Sequence, residues 1–323
     1  MAAPTSTALV EGISALLRLP HAEQVGAARE LIAALPDSEP PEAWNSRFGP
    51  GSLFEAWTAT GIARSVYAAL AAELRPIVAR PGFRVLDVGG GDGSVWRSVL
   101  DGGERGEIVV VDVLPEAIEA VRAAVPDGVE VHGLLGSVQD LALPEADALV
   151  CSMTLHHVAG IDAAQRAQHG LSGPGKREIL AAFGAALAPR GGVGLLVEAD
   201  VDCELDLPPG SPVLADNILD SYLRRCGQSI LDDLRGEAPG SSLADRWRGL
   251  LRYWFLEQLS VASLPIEQRD VYELSVPRWT ALFGDVGLHL EAHHGVDDYA
   301  LFELYRFRSV LPSTHVDPPS SRL

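Results

Sequence analysis

The sequence predicts an α/β fold, a doubly wound sheet built mainly of parallel strands, and three observations carry that prediction. Short β-branched runs begin at residue 84 and alternate with helical stretches, the pattern of βαβ units. The first run, "RVLDV" at 84–88, feeds directly into the glycine-rich stretch "GGGDGS". Right-handed crossovers between such units wind the sheet outward from its centre and leave a ligand crevice beyond the carboxyl ends of the strands.

Taken in chain order, residues 1–80 carry no strand pattern and form an N-terminal helical region. Leu9, Val10, Ile13, Leu16 and Leu17, and then Val25, Ala28, Leu31, Ile32 and Leu35, recur at helical spacing on either side of Pro20. A further helix is predicted from about Leu53 to Leu74, ended or kinked by Pro76. Residues 81–200 hold the strand runs "RVLDV", "EIVVVDV", "VEVHGLL", "DALVCSM" and "VGLLVEA", with helices at 115–124 and 176–188 between them. Residues 201–275 interrupt the alternation with helical segments and read as a lid inserted over the carboxyl edge. Residues 276–311 return a final helix and two strands, "LHLEAHHGV" and "YALFELYRF", close enough to pair antiparallel. The proline- and serine-rich end, 312–323, reads as disordered.

Composition bounds the function. The 323 residues are 47% hydrophobic, enough for a sizeable core, and the net charge is −19 with 44 acidic residues against 25 Lys and Arg. Such a field repels a phosphate backbone, so nucleic acid is excluded as a partner. Cys151, Cys203 and Cys226 have no paired spacing, which argues for reduced thiols and against a zinc site or a disulfide framework. No window holds about 18 uninterrupted apolar residues, and Glu11 and Arg18 break up the N-terminal apolar run, so the chain is expected to be soluble, cytoplasmic and free of a membrane span.

The glycine stretch narrows the ligand. A dinucleotide fingerprint would place its third glycine at Ser94 or Trp96, and no Gly-Lys-Ser/Thr follows for a P-loop. What does fit is Asp-x-Gly-x-Gly-x-Gly at Asp87, Gly89, Gly91 and Gly93, which resembles the first motif of class I S-adenosylmethionine-dependent methyltransferases. The resemblance implies a Rossmann-like, seven-stranded mixed sheet with its last strand antiparallel, and S-adenosylmethionine as cofactor. It assigns the ribose hydroxyls to Asp112, at the end of the second strand, with Val113 beside it. The loop after the third strand would meet the adenine through Ser137 and Val138, with Asp140 as a substitute acid, and Ser152 would line the cofactor from the fourth strand.

The segment "DALVCSMTLHHV" at 147–158 is similar to the part of plant-type small-molecule O-methyltransferases that bears their catalytic histidine, and the match falls on His156. A histidine titrating near neutrality suits the removal of a hydroxyl proton before an in-line methyl transfer. The same resemblance makes Glu198, in "VGLLVEAD", the group that orients it. Adjacent histidines are expected to face different ways, so that at most one points into a given site, and His157 is a candidate for binding the substrate. Trp57 and Trp254 are the further substrate candidates. Trp57 stands with Phe54 and Tyr67 ahead of the glycine turn, and Trp254 lies in the aromatic helix that also holds Trp247, Tyr253 and Phe255. His293 and His294 read as surface residues, and no metal site is expected. The expected activity is O-methylation of a small metabolite. Carbon or nitrogen acceptors, and a hydroxylase or cyclase that keeps the cofactor structurally, stay open, as does a homodimer through the N-terminal helices.

Overall fold

The computed structural model describes residues 60–158, 174–200, 272–297 and 301–310 without a break, together with Trp57, Thr58, Ala164 and scattered positions within 11–30 and 207–221. Most of the 201–275 segment, Trp254 and its aromatic neighbours, Phe54, Cys203, Cys226 and the 312–323 tail lie outside the described residues.

The helix α1 (Gly61–Val78) starts where the Thr60 hydroxyl accepts the Ala63 N–H at 3.1 Å. Its stripe of Ile62, Val66, Leu70, Leu74 and Ile77 is buried. Pro76 does not end this helix as its sequence position suggests; it lies inside it. The helix forgoes one N–H bond there, to the Ala72 carbonyl, and Ala79 still donates to the Arg75 carbonyl and closes the end.

Seven strands follow, with helices between them: β1 (Phe83–Val88), α2 (Ser94–Val99), β2 (Gly106–Asp112), α3 (Pro115–Ala124), β3 (Val129–Leu135), β4 (Ala148–Ser152), α4 (Pro174–Leu187), β5 (Val193–Ala199), α5 (Val276–Asp285), β6 (Leu288–Gly295) and β7 (Phe302–Ser309). They form one mixed sheet in the order β3-β2-β1-β4-β5-β7-β6. Strands β1 to β5 pair parallel, while β7 runs antiparallel to both β5 and β6. All seven residues of β5, "VGLLVEA", are buried, as a strand covered on both faces requires. The chain winds from β1 through β2 to β3 in one direction and from β4 to β5 in the other, so right-handed crossovers put α2 and α3 on one face and α4 on the other. Strand order therefore reverses between β1 and β4, and the crevice opens beyond their carboxyl ends.

Glycine also sets the fit between β5 and β7. A Cβ built on Gly194 would overlap the ring of Phe307, which is wholly buried and stacks against Phe283 of α5 at 4.9 Å between centroids. Gly194→Ala should therefore cost roughly 1–3 kcal/mol through forced repacking. Urea unfolding checks this, and an unchanged midpoint would mean that Phe307 yields freely.

Candidate active site

The glycine turn does two jobs in this fold. Gly89, Gly91 and Gly93 have φ of +78°, +56° and +76°, values that side chains rarely adopt. A Cβ on Gly89 would also run into Thr154, while one on Gly93 would sit 2.7 Å from Ala124 Cβ. Gly89 thus lets the loop after β4 close over the turn, and Gly93 lets α2 lie against α3. Asp92, between the glycines, accepts from the Ser94 N–H at 3.0 Å and the Ser94 hydroxyl at 2.8 Å, which secures the first turn of α2. Beneath the turn, Asp87 is buried and accepts the Trp96 indole N–H at 2.6 Å. Burial pushes its carboxyl up to about 7; the Trp96 hydrogen bond opposes that rise and the charge of Asp112 adds to it.

Asp112 ends β2, half-buried, with one oxygen accepting the Leu114 N–H at 2.9 Å and its backbone carbonyl accepting Gly136 N–H at 2.9 Å. On either side stand two exposed apolar side chains, Val113 at 63% and Leu135 at 58% exposure. Among the other adenine candidates, Val138 is buried in the core cluster, the Ser137 hydroxyl accepts the Gln139 N–H at 3.3 Å, and Asp140 is exposed. This arrangement fits a sulfonium nucleoside. The turn offers bare backbone and no Lys or Arg for a phosphate, two carboxylates close enough to affect one another suit a cationic ligand, and uncovered apolar groups flank the carboxylate that would take its sugar.

The chemistry-bearing residues meet at the ends of β4 and β5. Residues Leu155–His157 form a single 3-10 turn, and Glu198 of β5, 1% exposed, holds it from three sides. Its Oε1 accepts the Thr154 and Leu155 N–H groups at 3.0 and 2.6 Å, and its Oε2 lies 2.7 Å from His156 Nδ1. A carboxylate against Nδ1 places that nitrogen's proton between them and leaves the lone pair on Nε2. His157 does not turn away from its neighbour as strand geometry would have it. In the tight 3-10 turn the two Nε2 atoms come within 3.0 Å, with ring centroids 4.1 Å apart, and the His157 ring is the more exposed. Ser152 is half-buried, and its carbonyl accepts the Thr154 hydroxyl at 3.0 Å. Cys151 is fully buried; burial holds its thiol well above the usual range, and Glu198 and Asp87 raise it further, so it cannot serve as a thiolate nucleophile.

Trp57 packs edge-on against Phe302 with centroids 5.6 Å apart, and Tyr67 is pushed up by burial beside Asp92, Trp57 and Ser94. His293 and His294 are exposed on β6, where His293 Nδ1 lies 3.4 Å from a carboxylate oxygen of Glu303. Two residues here escaped the sequence reading. Thr154 fills the space that Gly89 leaves open, and Lys176, in the polar-looking "GPGKRE" that begins α4, has no exposed surface.

Comparison with known proteins places the chain. The family described as "Methyltransferase domain" matches residues 85–175. The ubiquinone biosynthesis O-methyltransferase of Xanthomonas campestris pv. campestris (strain B100) is 30% identical over 206 residues, 61% of this chain and 82% of that protein. An uncharacterized methyltransferase of Mycobacterium tuberculosis is 36% identical over 88 residues, 26% of this chain and 32% of that one. The solved N-methyltransferase NodS of Bradyrhizobium japonicum aligns over 85% of this chain and all of its own, at 11% identity and a TM-score of 0.47. The chain belongs to the class I S-adenosylmethionine-dependent methyltransferases. It is a methyl-transferring enzyme, and S-adenosylmethionine is its cofactor. No helix among the described residues is long and apolar enough to cross a membrane.

The raised carboxyl of Asp87 has a consequence for stability. Its folded value of about 7 lies above the 3.8 of an unfolded aspartate, so the stability it contributes is complete below about pH 4 and is lost as pH rises through 7. Asp87→Asn keeps an acceptor for Trp96 and removes that titration. The melting temperature of the variant should fall less than the parent's between about pH 4 and 7, and parallel curves for the two would mean that Asp87 titrates normally.

Proposed function

We propose that the enzyme transfers a methyl group to an oxygen of a small metabolite, with His156 as general base and Glu198 as its orienting carboxylate. The observation behind this reading is the 2.7 Å approach of Glu198 Oε2 to His156 Nδ1 by a carboxylate that also grips the two preceding backbone N–H groups. The ring is thereby held in tilt and tautomer, and its proton-accepting Nε2 is turned toward His157 Nε2, 3.0 Å away. An acceptor hydroxyl within reach of Nε2 gives up its proton to that nitrogen as its oxygen forms the new bond to carbon. Glu198 then offsets the positive charge that develops on the imidazole. S-adenosylmethionine, when bound, would supply the electrophilic methyl carbon, with the bonding pair kept by its sulfur. His157, whose Nε2 lies beside that of His156, is the polar group positioned to receive the acceptor hydroxyl in the same place. The O-methyltransferase named among the relatives supports an oxygen acceptor, and the acidic surface supports a small one over nucleic acid.

On the cofactor side, Asp87, Gly89, Gly91 and Gly93 would form the turn beneath the ligand and Asp112 would receive the ribose hydroxyls. Val113 would lie against the nucleoside, and Ser137, Val138 and Ser152 would complete the wall. Asp112→Ala should weaken S-adenosylmethionine binding by about 2–3 kcal/mol, since two hydroxyls lose a charged acceptor. Calorimetric titration with the cofactor decides this, and an unchanged Kd would take Asp112 out of the site.

His156→Ala should lower turnover by on the order of a hundredfold or more while cofactor affinity stays put. The assay is formation of S-adenosylhomocysteine across a panel of phenolic, enolic and amine acceptors. Near-parent rates on the best acceptor would exclude a base at His156. An acceptor converted with no S-adenosylhomocysteine released would point to a cofactor kept for its structure.

A further inference from the structure

Lys176 is a charged side chain in a costly place. It is completely buried, and it stands in the first turn of α4, where the helix dipole disfavours a cation. A lysine in that setting needs specific partners, and two are in contact with it. Its Nζ donates to the Val158 carbonyl at 3.1 Å, directly after the turn that carries His156. The same nitrogen lies 5.6 Å above the centre of the Tyr272 ring, and Tyr272 in turn donates its backbone N–H to the His156 carbonyl at 2.7 Å. Glu198 faces it electrostatically. Lysine and tyrosine thus hold the backbone on either side of the His156–Val158 segment, while Glu198 holds its other end.

We propose that Lys176 is a positioning residue of the transfer site: it pins the His156 turn through the Val158 carbonyl and faces Glu198 as a buried countercharge. The inference rests on the reading of His156 and Glu198 as a working pair. The charge of Glu198 on β5 acts on Cys151 of β4, Tyr305 of β7 and Lys176 of α4, and Glu303 pairs with it in register on β7. Among the described residues, Lys176 is the cation of that group besides His156 itself. Burial brings its ammonium down to about 7, against the opposing pull of Glu198, so its charge changes in the range where a histidine base works. With Lys176 charged, a second positive charge on His156 is disfavoured; with Lys176 neutral, Glu198 acts on the imidazole alone.

The test follows the imidazole of His156 in the full chain by NMR titration, with no acceptor or cofactor needed. Lys176→Met should raise the pH at which His156 takes up a proton by roughly one unit, and Lys176→Arg should return it toward the parent value. The acid limb of the rate profile should move in the same direction. A folded Lys176→Met protein with parent-like His156 titration would overturn the proposal, because a merely structural lysine alters stability and leaves that titration alone. Should the methionine variant not fold, Glu198→Gln offers an independent arm. Loss of that carboxylate should lower the pH at which the Lys176 ammonium itself titrates, and an unmoved lysine signal overturns the proposal. A shifted His156 titration together with a fully active His156→Ala enzyme would sink the base reading and uphold the action of Lys176 on the pair.

Discussion

A carboxylate shut away from water has to find its hydrogen bonds inside the protein, and Glu198 finds three of them in one turn of chain. Hydrogen bonds to a charged group contribute about 1.5–3 kcal/mol each, and an unmatched carboxylate at that position would cost more than any one of them returns. The turn after β4 is therefore as fixed as the strand that carries the acid. Ser152 pairs with Val197 in register, so Glu198 is the next residue along β5 and reaches the chain just as it leaves β4. The geometry of the histidine is set by the sheet and not by the loop. A site supported in that way keeps its shape before any ligand arrives.

The same edge gathers more negative charge than the fold needs. Asp87 and Glu198 are both buried, both act on the Cys151 thiol between them, and Asp112 acts on Asp87. Burial and this neighbouring charge together raise the cost of ionising Asp87, and no Lys or Arg stands in the glycine turn to offset it. Lys176 tempers the charge on the Glu198 side, where the chemistry rather than the cofactor requires it.

Much of this was legible in the sequence, and the limits were physical. Alternating β-branched runs and helices located the five parallel strands within one residue, because parallel strands covered on both faces must be apolar throughout, as β5 is, while the last strand begins three residues later than its run suggests. The glycine turn was legible because positive φ and close approach both demand glycine, and both demands recur at Gly89. The pairing of His156 with Glu198 was not: 42 residues separate them, and only a family resemblance linked the two before the strand register did. Pro76 misled because a local helix-breaking rule says nothing about which turn the proline occupies. Lys176 went unread for the opposite reason. A lysine beside Arg177 at the start of a helix reads as solvated, and its burial comes from Tyr272, far along the chain.

One backbone feature links the strand to the chemistry. Met153, the residue joining β4 to the His156 turn, has φ of +52°, the sole described non-glycine residue in the left-handed region. Such a conformation costs of order 1–3 kcal/mol and persists only where its surroundings overdetermine it. They do so here: Met153 donates its N–H to the Val197 carbonyl at 2.7 Å, and the next two N–H groups go to Glu198. Continuing β4 in an extended path would carry Thr154 and Leu155 past that carboxylate with their N–H groups alternating to either side. The left-handed kink instead turns successive N–H groups toward one oxygen and brings Thr154 down onto Gly89. The strain at Met153 is thus the local condition for joining the cofactor turn and the histidine turn at a single corner of the sheet.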